Sequence, residues 1–124
     1  MAKKKILIVD DEESLLSILS TRLKYAGFDV ETAISGELAL DMARAFAPHL
    51  VLLDIMMPGI DGFTVLSMLK NEKKTRSIVI VMLTSKGDQQ AIERALSMGA
   101  VDYIVKPFNP ARLVDKVKKA LKIS

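Results

Sequence analysis

Five short apolar runs punctuate the chain: Ile6–Val9, Phe28–Ala33, Leu50–Leu53, Ile78–Leu83 and Tyr103–Val105. Most are solid aliphatic rather than alternating. Continuous runs of this length bounded by turn residues predict strands covered on both faces, as in a parallel sheet. The second run, Phe28-Asp29-Val30-Glu31-Thr32-Ala33, alternates apolar and polar positions. It predicts a strand nearer an edge, with one face wet.

Between the runs the spacing turns helical. Leu16, Leu19, Leu23 and Ala26 share one face of a first helix, with Asp11, Glu12 and Glu13 at its positive end and Gly27 as its stop. Leu38, Met42, Ala45 and Phe46 are expected to line the inner face of a second, starting near Ser35 and closed by Pro48. A third covers roughly Phe63 to Asn71. Asp88 is a natural N-cap for a fourth that Gly99 ends, and Asn109-Pro110 reads as N-cap and N1 of a fifth. That last helix is expected to turn Leu113, Val117, Ala120 and Leu121 inward and Lys116, Lys118, Lys119 and Lys122 outward. Five βα units in succession predict an α/β fold: a doubly wound parallel sheet of five strands, helices on both faces, connected right-handed. Residues 1–124 read as one domain without a linker.

Composition narrows the classes. Half of the 124 residues are hydrophobic and 27% are charged, as in a globular protein. There is no cysteine and one histidine, His49, which excludes disulfide scaffolds, thiol nucleophiles and Cys- or multi-His metal sites. Lys3-Lys4-Lys5 and the apolar run after it imitate a signal peptide, but Asp10-Asp11-Glu12-Glu13 cuts that run short of the ~7–15 apolar residues required. The expectation is a cytoplasmic protein without membrane insertion. Net charge is +3 and pI about 9.2. The lysines read as solvated helix faces, and few aromatics are present for stacking, so direct nucleic-acid binding is not expected.

The polar residues gain meaning on this frame. Asp10 and Asp11 follow strand 1, Asp54 ends strand 3, Thr84 ends strand 4 and Lys106 ends strand 5. In a parallel sheet those ends share the edge where ligands bind. Each residue alone is an ordinary cap, turn or surface lysine; their joint occurrence at one edge is not. Carboxylates ~4 Å apart repel by about 4 kcal/mol per pair at an effective dielectric of ~20, before screening. A divalent cation held by oxygen donors, magnesium above all, relieves this and also engages phosphate. Lys106 can pair a phosphoryl oxygen and Thr84 can hydrogen-bond another. Asp54, on a central strand, is then best placed as a nucleophile that forms an aspartyl-phosphate.

The segments Ile6–Glu12, Leu52–Gly62, Leu83-Thr84-Ser85 and Tyr103–Phe108 resemble the signatures of receiver domains of two-component response regulators, over the whole chain and in the family's order. The resemblance implies the flavodoxin-like strand order 2-1-3-4-5. It implies that Asp54 is the phosphoacceptor, taking the group from a phosphohistidine on a sensor histidine kinase or histidine phosphotransfer protein. Asp11, Asp54 and the Met56 backbone carbonyl would bind Mg2+ (Mn2+ substituting), with Asp10 acting through a bound water. Thr84 would be the switch hydroxyl, Lys106 the phosphoryl partner and Tyr103 the aromatic that turns inward. Ser85 would leave room for the phosphoryl group where the family often has Ala. The Lys106-Pro107 peptide is expected cis. Met56 and Lys86 stand where the family tunes the lifetime of the phosphorylated state.

The expected function is a phosphorylation-activated switch that signals through helix 4, strand 5 and helix 5 to a downstream protein, as a monomer or a phosphorylation-dependent dimer. It would be no enzyme beyond its own phosphotransfer and autodephosphorylation. The chain ends close to the fifth helix, the pattern of a stand-alone regulator. The alternative is the receiver part of a longer regulator with a DNA-binding or enzymatic output. A magnesium-dependent phosphohydrolase is disfavoured, because no second acid and no substrate cap are visible.

Overall fold

The computed structural model describes residues 2–85 and 88–124. Its elements alternate strictly: β1 (Lys5–Val9), α1 (Glu13–Tyr25), β2 (Asp29–Ala33), α2 (Gly36–Phe46), β3 (Leu50–Asp54), α3 (Gly62–Asn71), β4 (Val79–Ser85), α4 (Gln89–Ser97), β5 (Asp102–Lys106) and α5 (Pro110–Ala120). All strand pairs are parallel, in the order β2-β1-β3-β4-β5. The alternating strand β2 lies on one edge, as its pattern predicts, with Val30 and Ala33 inward and Asp29, Glu31 and Thr32 exposed.

The solid aliphatic strands are covered twice. Ile6, Ile8, Leu50, Leu52, Val81 and Leu83 pack against α1 and α5. The alternate positions Leu7, Val9, Val51, Leu53, Ile80 and Met82 pack against α2, α3 and α4. Each such side chain contributes about 1.5–3 kcal/mol through burial, which is why β3, buried along its whole length, anchors the fold. No described helix is long and apolar enough to cross a membrane.

Side-chain caps set the helix starts. Ser35 accepts from the Leu38 N–H, Asp61 from Thr64, Asp88 from Ala91 and Asn109 from Ala111. Asp61 starts α3 at Gly62, one residue before the expected Phe63. Gly27 and Gly99, with φ of +103° and +112°, close α1 and α4 in a conformation that side-chain-bearing residues rarely adopt.

Two helical faces differ from the spacing's prediction. In α2 the buried residues are Gly36, Ala39, Leu40 and Ala43, while Leu38 and Ala45 are exposed. Glu37, Asp41 and Arg44 share one polar face and apolar residues fill the rest of the circumference, so period alone did not say which part of that broad apolar face turns inward. Gly36 fixes that rotation: a Cβ there would collide with Ile60 and Val65. In α5, Val114 is buried with Leu113 and Val117. Lys116 is not free on the outer face but reaches back to β5.

Candidate functional site

Register brings the predicted residues together. Asp54 is the last residue of β3, and Asp10 follows β1, the adjacent strand. The Asp10 N–H still donates to the Ala33 carbonyl (3.1 Å), so the ladder with β2 holds the first carboxylate in place. Asp10 Oδ1 accepts from the Glu12 N–H (3.0 Å), and Asp54 Oδ1 accepts from the Met56 N–H (3.1 Å). Carboxylate oxygens of Asp10, Asp11 and Asp54 lie within 4.8 Å of one another. Asp10 and Asp54 are buried and Asp11 is exposed, so the cluster has a dry floor and an open mouth. Met56 stands 71% exposed beside it.

Gly62 lets the floor form. A Cβ at this position would fall on the Asp54 carbonyl oxygen and 2.7 Å from the Ile55 Cα. The first turn of α3 therefore presses directly on the backbone that carries Asp54.

Lys106, the last residue of β5, enters this floor, and the peptide joining it to Pro107 is cis. Its Nζ lies 2.6 Å from Asp10 Oδ2, 3.4 Å from Asp54 Oδ2 and 4.0 Å from Glu12 Oε1. Burial alone would lower its pKa, but the hydrogen bond to Asp10 and the charges of Asp54 and Asp10 together raise it. Asp54 is pushed up to about 6, first by burial and next by the Asp10 charge. Lys106 and the Met56 N–H offset this only in part. Among the described residues one ammonium, that of Lys106, thus serves a cluster that carries more negative charge than it can neutralise.

Thr84 is buried and is the penultimate residue of β4, not its end. Its hydroxyl donates to the Ser85 carbonyl (3.2 Å), so in this state it is turned to its own backbone. Ser85 stands in register with Lys106 across the β4–β5 ladder. Tyr103 is not part of the carboxylate cluster. It pairs with Met82, lower on the sheet, half-buried at the edge. Lys116 of α5 donates to the Tyr103 carbonyl (2.7 Å) and places its ammonium 4.9 Å from the ring centre. Lys86 lies outside the described residues.

Glu12 and Lys116 are the two participants that the sequence reading did not assign. Glu12 hid in a run of four acids that explains itself as a helix N-terminus. Lys116 depends on how α5 packs on β5, which no local pattern encodes.

The donor set fits a hard divalent cation: the three carboxylates offer oxygen only. Neither cysteine nor histidine is in reach. Beside Lys106 opens a cleft of about 600 Å³, lined by Glu12, Leu15, Ile18, Pro107 and Phe108 among others.

Comparison with known proteins points the same way. The family model of the response regulator receiver domain matches residues 6–118, a span that contains every residue of the cluster. The chain is 46% identical over 120 residues to a probable transcriptional regulator, ycf27, of Cyanophora paradoxa, covering 97% of this chain and 49% of that protein. It is 42% identical over 121 residues to the alkaline phosphatase synthesis transcriptional regulatory protein PhoP of Bacillus subtilis, covering 98% and 50%. The chain spans about half the length of the curated relatives it matches. Among solved structures, a putative response regulator from Chloroflexus aurantiacus superposes with a TM-score of 0.92 at 37% identity, over 98% of this chain and 99% of that one. The Vibrio cholerae chemotaxis protein CheY4 does so with a TM-score of 0.91 at 31% identity, over 96% and 99%.

Proposed function

The chain belongs to the response regulator receiver domains of two-component systems, and on that premise we propose that it is a phosphorylation switch whose acceptor is Asp54. One observation carries the assignment: Asp54 is the buried carboxylate at the end of the central strand, with Asp10, Asp11 and Lys106 around it.

An Asp54 oxygen attacks the phosphorus of a phosphohistidine. The O–P bond forms as the P–N bond breaks, and the electron pair returns to the imidazole nitrogen. Asp10, Asp11, Asp54 and the Met56 carbonyl would hold Mg2+, which when bound supplies positive charge against the developing phosphoryl charge. Lys106 supplies the protein's own cation at the same place, and the Met56 N–H keeps Asp54 oriented. Hydrolysis of the same bond resets the switch, so the chain turns over no separate substrate.

The conformational reading follows from differential contacts. Before phosphorylation the Thr84 hydroxyl is spent on the Ser85 carbonyl. A phosphoryl oxygen is a stronger acceptor, so Thr84 rotates to it and leaves space that Tyr103 can enter. The output surface is then α4, β5 and α5. The relatives twice as long as this chain favour a second reading in which the same unit regulates an attached DNA-binding segment.

The test is labelling with a small-molecule phosphodonor in magnesium, read by intact mass. One phosphoryl group is expected on the native chain and none on Asp54→Asn. Stoichiometric labelling of Asp54→Asn would overturn the acceptor assignment.

A further inference from the structure

The opposite end of the molecule carries its own chemistry. The parallel strands all begin at one base, and every helix returns to it. There the Lys5 N–H donates to His49 Nδ1 (3.0 Å), the Asp29 N–H to the Lys4 carbonyl, and the Val79 N–H to the His49 carbonyl. Exposed cations reach this base from both helical layers. Lys3 and Lys4 precede β1, and Arg22 and Lys24 lie in the last turn of α1. Lys73, Lys74 and Arg76 lie in the segment from α3 to β4, while Lys119 and Lys122 close α5. The exposed acids nearby are Asp29 and Glu31 of β2, and Asp102, the partly exposed first residue of β5, is bound by Lys116. Glu72 is already bound by Arg44.

Two ordinary explanations fall short. Lysines at helix C-termini offset the helix dipole, but five helices contribute only about half a negative charge each. The exposed cations exceed that sum together with Asp29 and Glu31, and Lys3 and Lys4 are not on a helix at all. Nor is this a mobile fringe. Lys70 Nζ donates to the Arg76 and Ile78 carbonyls (3.1 and 2.8 Å), and the Thr75 hydroxyl to the Leu69 carbonyl (2.7 Å). The segment bearing Lys73, Lys74 and Arg76 is thereby fixed before any partner arrives. The His49 imidazole, held below its usual pKa by burial and then by Lys4 and Lys5, senses the same positive field.

We infer that this base is an electrostatic docking surface for the phosphate backbone of a nucleic-acid duplex. Five strands at ~4.8 Å spacing make it about 19 Å wide, and a duplex presents one phosphate charge per ~1.7 Å of its axis. Such breadth, with a domain pI of about 9.2, suits an extended polyanion better than a compact acidic peptide. Most of these cations are lysines, point charges that hold phosphate without reading bases, which makes the contact largely sequence-independent. The base also lies about 17 Å from the Asp54 cluster, one five-residue strand, or about two Debye lengths at physiological salt. Binding there is therefore independent of the phosphorylation chemistry and of whether that reading holds.

The experiment is fluorescence anisotropy with a labelled duplex of arbitrary sequence, at about 50 and 200 mM salt. Saturable binding is expected, weakening steeply with salt. Lys4→Glu, Lys74→Glu and Lys119→Glu, from three sides of the base, should each weaken it by about threefold or more and flatten the salt slope by about 0.9. Arg112→Glu makes the same charge change at the other end of α5 and should leave affinity within about twofold. The single variants alter exposed side chains, so circular dichroism should find them folded. No binding at 50 mM salt overturns the proposal. So does an Arg112→Glu loss equal to that of Lys74→Glu, which would mean diffuse net charge. Tighter binding to vesicles containing anionic phosphatidylserine than to the duplex would reassign the base to a membrane surface and overturn it too.

Discussion

Lys106 Nζ lies 2.6 Å from Asp10 Oδ2 but 3.4 Å from Asp54 Oδ2. The lysine is thus committed first to the carboxylate that is not the proposed acceptor. Asp10 is fully buried, so it depends on this ammonium more than Asp54 does. Lys106→Met should destabilise the fold by about 3 kcal/mol at pH 7.5, because it strands buried charge. Urea denaturation at pH 7.5 with and without magnesium checks this: the cation should restore part of the loss. An equal loss under both conditions would contradict a shared cation site.

Asp54→Asn should stabilise the protein at neutral pH. The carboxyl titrates near 3.8 in an unfolded chain and at about 6 in the fold. Between these values the folded state holds more protons, so this group's contribution to stability falls as pH rises through that window. Above pH 6 the deficit reaches about 1–3 kcal/mol, allowing for relaxation. Denaturation at pH 4 and pH 7.5 should show the Asn variant gaining only at the higher pH.

Magnesium should move that titration. Carboxyl-carbon NMR without divalent cation should place the Asp54 midpoint near 6. Added positive charge favours the carboxylate, so magnesium should lower the midpoint by about one unit or more. An unmoved midpoint at saturating magnesium would remove Asp54 from the ligand set.

Gly62→Ala tests the packing beneath the site. The new methyl would meet Asp54 and Ile55 backbone, which a side-chain rotation cannot relieve. The expected cost is about 3 kcal/mol in thermal or chemical denaturation, with slower phosphodonor labelling because the Asp54 carbonyl must move. Ala at exposed Ser77 is the matched control and should change neither.

Met56, two residues after Asp54, carries an apolar, exposed side chain. Met56→Asn should change the half-life of the phosphorylated state, followed by loss of the phosphoryl group in intact mass over time. An unchanged half-life would show that the side chain takes no part in water access.

Much of this site can be seen in the sequence because topology does the gathering. Once five βα units are recognised, Asp10, Asp11, Asp54, Thr84 and Lys106 must share one edge. What could not be seen depends on rotation and reach. In α2 only the face of Glu37, Asp41 and Arg44 is polar, so Leu38 and Ala45 looked as suitable for the core as Ala39 and Ala43; the close fit of Gly36 against Ile60 decides. The preference of Lys106 for Asp10 rests on under an ångström of difference. The basic base was spread over segments far apart in the chain, and each lysine looked like an ordinary solvated residue until the strands aligned their starts.

The β4–β5 ladder runs unbroken from Val81↔Asp102 to Ser85↔Lys106. Thr84 and Tyr103 are therefore mounted on one stiff frame, and sliding it would cost several backbone hydrogen bonds at about 1 kcal/mol each. Rotating a side chain on it breaks none of those ladder bonds, so Thr84 and Tyr103 could turn while the frame stays fixed. On the proposed mechanism the memory of a signal would be held by a covalent bond, and water at Asp54 would decide how long it lasts.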